Sequence, residues 1–151
     1  LSRETVEKLA AFVPHTGSVS NPVDLTFSKN PDDFYDSIPQ LLIQEKETDT
    51  LLLYFLTSPK IVERALTQMG IKEDAIDDLS RQWMEKHCQS VAGILEKYGK
   101  PVVGFTFMSL KDRSIKGLLS RGIPVFPGPD RAARAIAAMV EYSNYLSKIL
   151  K

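Results

Sequence analysis

Residues 100–142, KPVVGFTFMSLKDRSIKGLLSRGIPVFPGPDRAARAIAAMVEY, restrict the chain most, because they read as strand, turn, helix, strand, turn, helix. Residues 101–107 form a short apolar run rich in β-branched and aromatic side chains, with no 3.6-residue period, which suits a strand buried on both faces. Ser109 is placed to cap the next helix, with Asp112 as its capping-box partner. Ile115, Leu118 and Leu119 then share a helical face that Gly122 ends. Residues 123–126 repeat the strand pattern, and Gly128-Pro129-Asp130 opens a last helix with proline at its first position and an acid in its first turn. Ala132, Ala133, Ile136, Met139 and Val140 give that helix a narrow apolar face suited to lie close on a sheet. Two such units in tandem imply parallel strands joined by helical crossovers. A site on such a sheet is expected at the carboxyl ends of the strands.

The rest of the chain extends the pattern. Ser2 caps an opening helix whose apolar face is Val6, Leu9, Ala10 and Val13, stopped by Pro14. After the turn-rich HTGSVS, residues 23–26 read as a short first strand. Asn30-Pro31-Asp32-Asp33 starts a helix with Phe34, Ile38, Leu41 and Leu42 inward. Pro39 inside it predicts a kink or a division into two short helices. Residues 49–56, DTLLLYFL, are the clearest central strand. Thr57-Ser58-Pro59 opens a helix that runs to Met69 and stops at Gly70. Residues 73–98 read as one long helix with Ile76, Leu79, Trp83, His87, Val91, Ile94, Leu95 and Tyr98 on its apolar stripe, ended by Gly99. The expected fold is one doubly wound α/β domain over residues 1–151, with about four parallel strands and helices on both faces.

Composition narrows the function classes. With 19 basic and 19 acidic residues the net charge is zero, which gives no footprint for nucleic acid or an anionic membrane. No 18-residue apolar run and no signal peptide are present, so the expected location is the cytoplasm. A single cysteine, Cys88, excludes an internal disulfide and a cysteine-rich metal site, and no metal ligands are assigned. The first residue is Leu1, which fits a piece of a longer chain.

Candidate residues are few, and no catalytic residue is assigned. His15, in His15-Thr16-Gly17-Ser18, reads as a solvated loop histidine rather than a nucleophile or phosphate carrier. His87 lies on the long helix's stripe with no second histidine or cysteine at ligand spacing, so it reads as a core histidine with its nitrogens satisfied. Asn21, Pro22 and Asp24 precede or open the first strand, where Asn and Asp side chains either fix the loop by bonding backbone amides, the preferred reading, or face a ligand at a strand end. Thr57 and Ser58 are the sharpest local signal. Small hydroxyl residues between a strand and a helix present free N–H groups at the helix's positive end, an anion site, and an ordinary helix cap uses the same residues. Arg131 reads as a solvated first-turn arginine. The G-x-G-x-x-G, G-x-x-x-x-G-K-[ST] and G-x-S-x-G patterns are absent.

Two stretches taken together resemble the NDP-forming acyl-CoA synthetases, the ADP-forming acetate–CoA ligases and their succinyl-CoA synthetase relatives. One is SVSNPVDL, followed after a helix by the strand DTLLLYFL. The other is KPVVGFTF with GIPVFPGPDRAARAIAAMVEY: a K-P-V-V strand, a G-I-P-V strand, a proline-acidic turn and an alanine-rich helix. The likeness covers nearly the whole chain and points to the second of the two flavodoxin-like CoA-ligase domains.

The resemblance implies a whole enzyme that interconverts acid, CoA and NTP with acyl-CoA, NDP and phosphate. CoA, ATP or ADP and Mg would belong to that enzyme, and none of them to this domain alone. Its partners would be CoA-binding, phosphohistidine and ATP-grasp domains. In such enzymes two helix N-termini, one from each ligase domain, hold the phosphohistidine; here the matching helix is the one opened by Thr57 and Ser58. The succinyl-type enzymes have glycines at that helix start, where this chain has Thr57-Ser58-Pro59. The charged segment 71–87 is longer than the family pattern. Family members include fusions to acetyltransferases, in which the ligase part is a non-catalytic acyl-CoA or ligand sensor, and that is the alternative implied.

Overall fold

In a computed structural model of the protein, residues 1–25, 30 and 32–150 are described. In chain order they form α1 (Arg3–Leu9), a π-helical segment (Asp33–Ser37) that runs into α2 (Ile38–Gln44), β1 (Leu51–Tyr54), α3 (Pro59–Gln68), α4 (Glu73–Tyr98), β2 (Val102–Thr106), α5 (Arg113–Leu119), β3 (Val125–Pro127) and α6 (Pro129–Ile149). The strands pair in parallel in the order β1-β2-β3, with Leu51 opposite Val102 and Gly104 opposite Val125. The fold is α/β and consistent with the flavodoxin-like class, with three strands among the described residues where about four were expected.

The missing strand is the first. Val23, Asp24 and Leu25 carry no strand, and Thr26 lies outside the described residues. Asp24 instead closes a small loop on Ser18, with N–H to carbonyl bonds of 2.8 and 3.2 Å in the two directions. Gly17 permits this loop, because a Cβ there would stand 2.3 Å from the Asp24 carbonyl oxygen. A second correction concerns β1. It is at an edge of the described sheet, and β2 is the central strand.

One face of the sheet carries the core. Leu51, Phe55, Val102 and Val125 meet Ile43 of α2, Cys88, Val91 and Ile94 of α4, and Ile115 and Leu118 of α5 in a single buried cluster. Both crossovers therefore run over the same, inner face. Gly104 of β2 belongs to it, since a Cβ there would meet the Phe55 ring at 2.4 Å. On the outer face α6 packs over β2 and β3, and Ala132 and Val103 are buried. A second cluster, Leu9, Val13 and Ile38, fastens α1 to α2. Glu45 accepts bonds there from the Ser2 hydroxyl, the Thr5 hydroxyl and the Ser2 amide, which hold its carboxyl down at about 2.

Helix boundaries follow local chemistry. Pro39 divides its segment as expected: without an N–H it offers no donor to the preceding turn, and a π-helical stretch precedes α2. That stretch also corrects the buried face, since Tyr35, Ile38 and Ile43 are inward while Phe34, Leu41 and Leu42 are half-buried. α5 begins at Arg113, later than the Ser109 cap implied. The Ser109 hydroxyl instead accepts the Lys111 amide in a separate turn, 3.2 Å away.

Candidate functional site

The carboxyl ends of β1 and β2 are tied together by one side chain. The fully buried Thr106 donates its hydroxyl to the Phe55 carbonyl at 2.8 Å and accepts the Met108 amide at 3.1 Å. This bond fixes where the chain leaves β1, and Thr57 and Ser58 follow at once. The Thr57 hydroxyl lies 3.0 Å from the phenol of Tyr35, which reaches it from the π-helical segment. Tyr35 is held by an offset-parallel stack on Phe55, 5.7 Å between centroids, and by an edge contact with the His87 ring at 5.2 Å. Burial pushes its phenol up from the ordinary tyrosine range.

Ser58 occupies the N-cap of α3 with extended backbone, but its side chain makes no cap bond. Pro59 has no N–H, and the Ile61 amide turns back on the Ser58 carbonyl at 3.0 Å. Among the described residues the first turn of α3 therefore leaves the Lys60 amide and the Ser58 hydroxyl uncommitted at the helix's positive end. The ordinary side-chain cap is not made.

Beneath this turn lies a cavity of about 20 Å³, the space of one water, lined by Tyr35, Phe55, Thr57, His87, Cys88 and Ser114 among others. The buried Ser114 hydroxyl has no hydrogen-bond partner among the described residues. Cys88, whose thiol burial pushes up, is 3.5 Å from the Ser114 carbonyl and reads as packing. His87 is buried as expected. Its Nδ1 lies 2.7 Å from the Trp83 carbonyl and its Nε2 3.0 Å from the Asp32 carboxylate. Lys86 also grips Asp32, at 2.9 Å, and its hydrogen bond is the main reason the Asp32 carboxyl titrates below the usual range. This pair fastens the start of the π-helical segment, and through it Tyr35, to α4.

The other sequence candidates are elsewhere. Asn21 and Pro22, joined by a cis peptide, and Asp24 are exposed in the small loop beside α1, and the described contacts do not bring them to Thr57 or Ser58. His15 is exposed before the same loop. Among the described residues no cluster of His, Cys, Asp and Glu is arranged to hold a metal, and no helix is long and apolar enough to cross a membrane. Tyr35 and Thr106, which shape the β1–α3 turn, were not singled out from the sequence. A helical wheel started at Phe34 turns Tyr35 away from the core, and only its spacing to Pro39 hinted at irregular backbone.

No family model matches the chain. It is 26% identical over 147 residues to the ADP-forming acetate–CoA ligase II subunit alpha of Pyrococcus furiosus, an alignment covering 95% of this chain and 28% of that subunit. Its fold superimposes on the crystal structure of PH0766 from Pyrococcus horikoshii OT3 with a TM-score of 0.66 and 26% identity, over 93% of this chain and 29% of that one. The chain thus spans less than a third of the length of either protein. Both likenesses support the resemblance to NDP-forming acyl-CoA synthetases carried by the N-P-V-D and K-P-V-V motifs.

Proposed function

We propose that this chain is a domain of an NDP-forming acyl-CoA synthetase. The whole enzyme would interconvert acid, CoA and NTP with acyl-CoA, NDP and phosphate through a phosphohistidine on another domain. The observation that carries the reading is the extent of the likeness to an ADP-forming acetate–CoA ligase subunit, along 95% of this chain. A shared motif alone would not extend so far.

Within that enzyme the β1–α3 turn is the phosphate-facing part. The Lys60 amide, the Ser58 hydroxyl and the positive end of a ten-residue helix are set at the carboxyl edge of the sheet, and Thr57 is held beside them by Tyr35. Donors fixed in advance stabilise a developing or transferring phosphoryl charge without reorganising at the moment of reaction. Asn21, Pro22 and Asp24 shape the loop that enters the domain. CoA, ATP or ADP and Mg would be held with the CoA-binding, phosphohistidine and ATP-grasp domains. The exposed outer face of β1 is suited to meet one of those domains.

The test is turnover of the intact parent, with acyl-CoA, ADP and phosphate, beside this chain alone. The expected result is an active parent and a silent chain. Ser58→Ala in the parent should slow phosphoryl transfer by about a hundredfold, the effect of losing one well-placed donor; unchanged turnover would remove the turn from the mechanism. One feature favours a second reading: Pro59 and the absence of glycine leave few amides for an anion. An inactive parent that still binds acyl-CoA would make this a sensing domain of a fused acetyltransferase.

A further inference from the structure

α6 is far longer than the sheet it covers. Its 21 residues extend about 31 Å, whereas the five residues of β2 extend about 17 Å. Only its first turns are used: Ala132 is buried, Ala135 and Ile136 are half-buried, and from Ala137 onward every residue to Leu150 except Leu146 is exposed. That exposed half is apolar. Ala135, Ala138, Tyr142, Tyr145 and Ile149 recur at steps of three and four, a seam with the spacing of paired helices. Tyr142, Tyr145 and Ile149 are 62%, 59% and 57% exposed. The seam is distinct from the Ala132–Ile136 stripe that meets the sheet.

We propose that a second copy of this chain docks on this seam, its α6 antiparallel to the first. Setting Tyr142 opposite Tyr145 of the second copy fixes the register, and three further kinds of pairing then fall out of the sequence. Ile149 lies opposite Ala138, a large residue against a small one, at both ends of the contact. On one flank Met139 meets Leu146. On the other Glu141 meets Lys148, and the two-fold axis repeats each of these pairs as well. A parallel pairing of the same seam offers these charges no partner, because it sets Glu141 against an apolar position. The chain's net charge of zero adds no long-range repulsion. Tyr142, Tyr145, Ile149 and Met139 expose on the order of 100 Å² each, roughly 400 Å² per copy. That is the low end for specific association and implies a weak, concentration-dependent dimer.

Sedimentation equilibrium of the chain across a concentration series tests this. The apparent mass should rise from 16.9 kDa toward twice that value. Glu141→Lys and Lys148→Glu are both exposed changes, and each alone should weaken the dimer by about tenfold, since each sets two like charges against each other twice. The double variant should recover the original association. Tyr145→Asp should abolish the dimer while leaving the thermal melt of the monomer in place. A monomer at every concentration would overturn the proposal and leave the seam to another domain of a longer protein. A dimer indifferent to all three substitutions, or single defects that the double variant does not restore, would overturn it equally.

Discussion

On the inner face of the sheet Leu51, Phe55, Val102 and Val125 are sealed by α2, α4 and α5. On the outer face Leu52 and Tyr54 of β1, with Leu56 just beyond it, remain more than a third exposed, and Phe107, one residue past β2, is 73% exposed. Both sets are equally apolar. The Tyr54, Phe105 and Phe107 rings even form their own cluster, with Tyr54 stacked on Phe105 at 4.9 Å. Composition alone cannot distinguish two such faces; what differs is the number of helices the chain supplies to each. Among the described residues one helix covers the outer face, and it packs mainly on β2 and β3. The outer face of β1 is therefore the more exposed of two apolar faces.

The largest effect that would break the contrast belongs to the inner face. Ile115 is fully buried in the cluster, and Ile115→Ala removes its bulk where α4, α5 and β3 close on one another. The expected loss is about 2–5 kcal/mol in denaturant unfolding. The corresponding change on the outer face, Leu52→Ala, should cost under about 1 kcal/mol, because much of that side chain is already in water. Equal losses would mean that the two faces are equally closed. A smaller inner-face effect follows from Gly104. Its alanine variant places a Cβ at 2.4 Å from the Phe55 ring and 3.2 Å from Val125, so Phe55 must shift against Tyr35. Overpacking of this kind costs about 1–3 kcal/mol. A crystal structure of the variant with Phe55 unmoved would contradict the tight inner packing.

The contrast also explains which parts of the molecule were legible from sequence. β2, α4 and α6 were readable because their patterns answer to neighbours within the chain: residues 73–98 form α4, ended at Gly99. β1 misled because a continuous apolar run is the signature of burial on both faces, and here one face is open. The site was half legible. Thr57-Ser58-Pro59 showed a helix start, but what holds Thr57 is Tyr35, and Tyr35 points inward only because the π-helical stretch before Pro39 shifts the wheel. Thr106 was hidden for another reason. Its bond to Phe55 crosses 51 residues, and nothing local in TFM announces it. Residues 23–26 read as a strand because their side chains suit one, whereas the Ser18–Asp24 bridge holds Asp24 in a loop and Thr26 lies outside the described residues.

The smallest effect gives the sharpest test of the open face. Phe107 is the most exposed ring of the outer cluster, and its ring contacts among the described residues are edge contacts with Tyr54 and Phe105 at 5.7 and 6.1 Å. Phe107→Ser in the chain alone should therefore shift stability by no more than about 0.5 kcal/mol, the range of ordinary surface substitutions. If the outer face is a docking surface, the same variant in the intact parent should cost much more, because a ring that has been desolvated between two bodies contributes about 1.5–3 kcal/mol. Paired thermal melts of chain and parent measure both numbers. A large loss in the chain alone would show that the ring is already part of this domain's core. A small loss in both would show that the aromatic cluster faces solvent in the parent as well, and the covering body would then have to be sought at α6 instead.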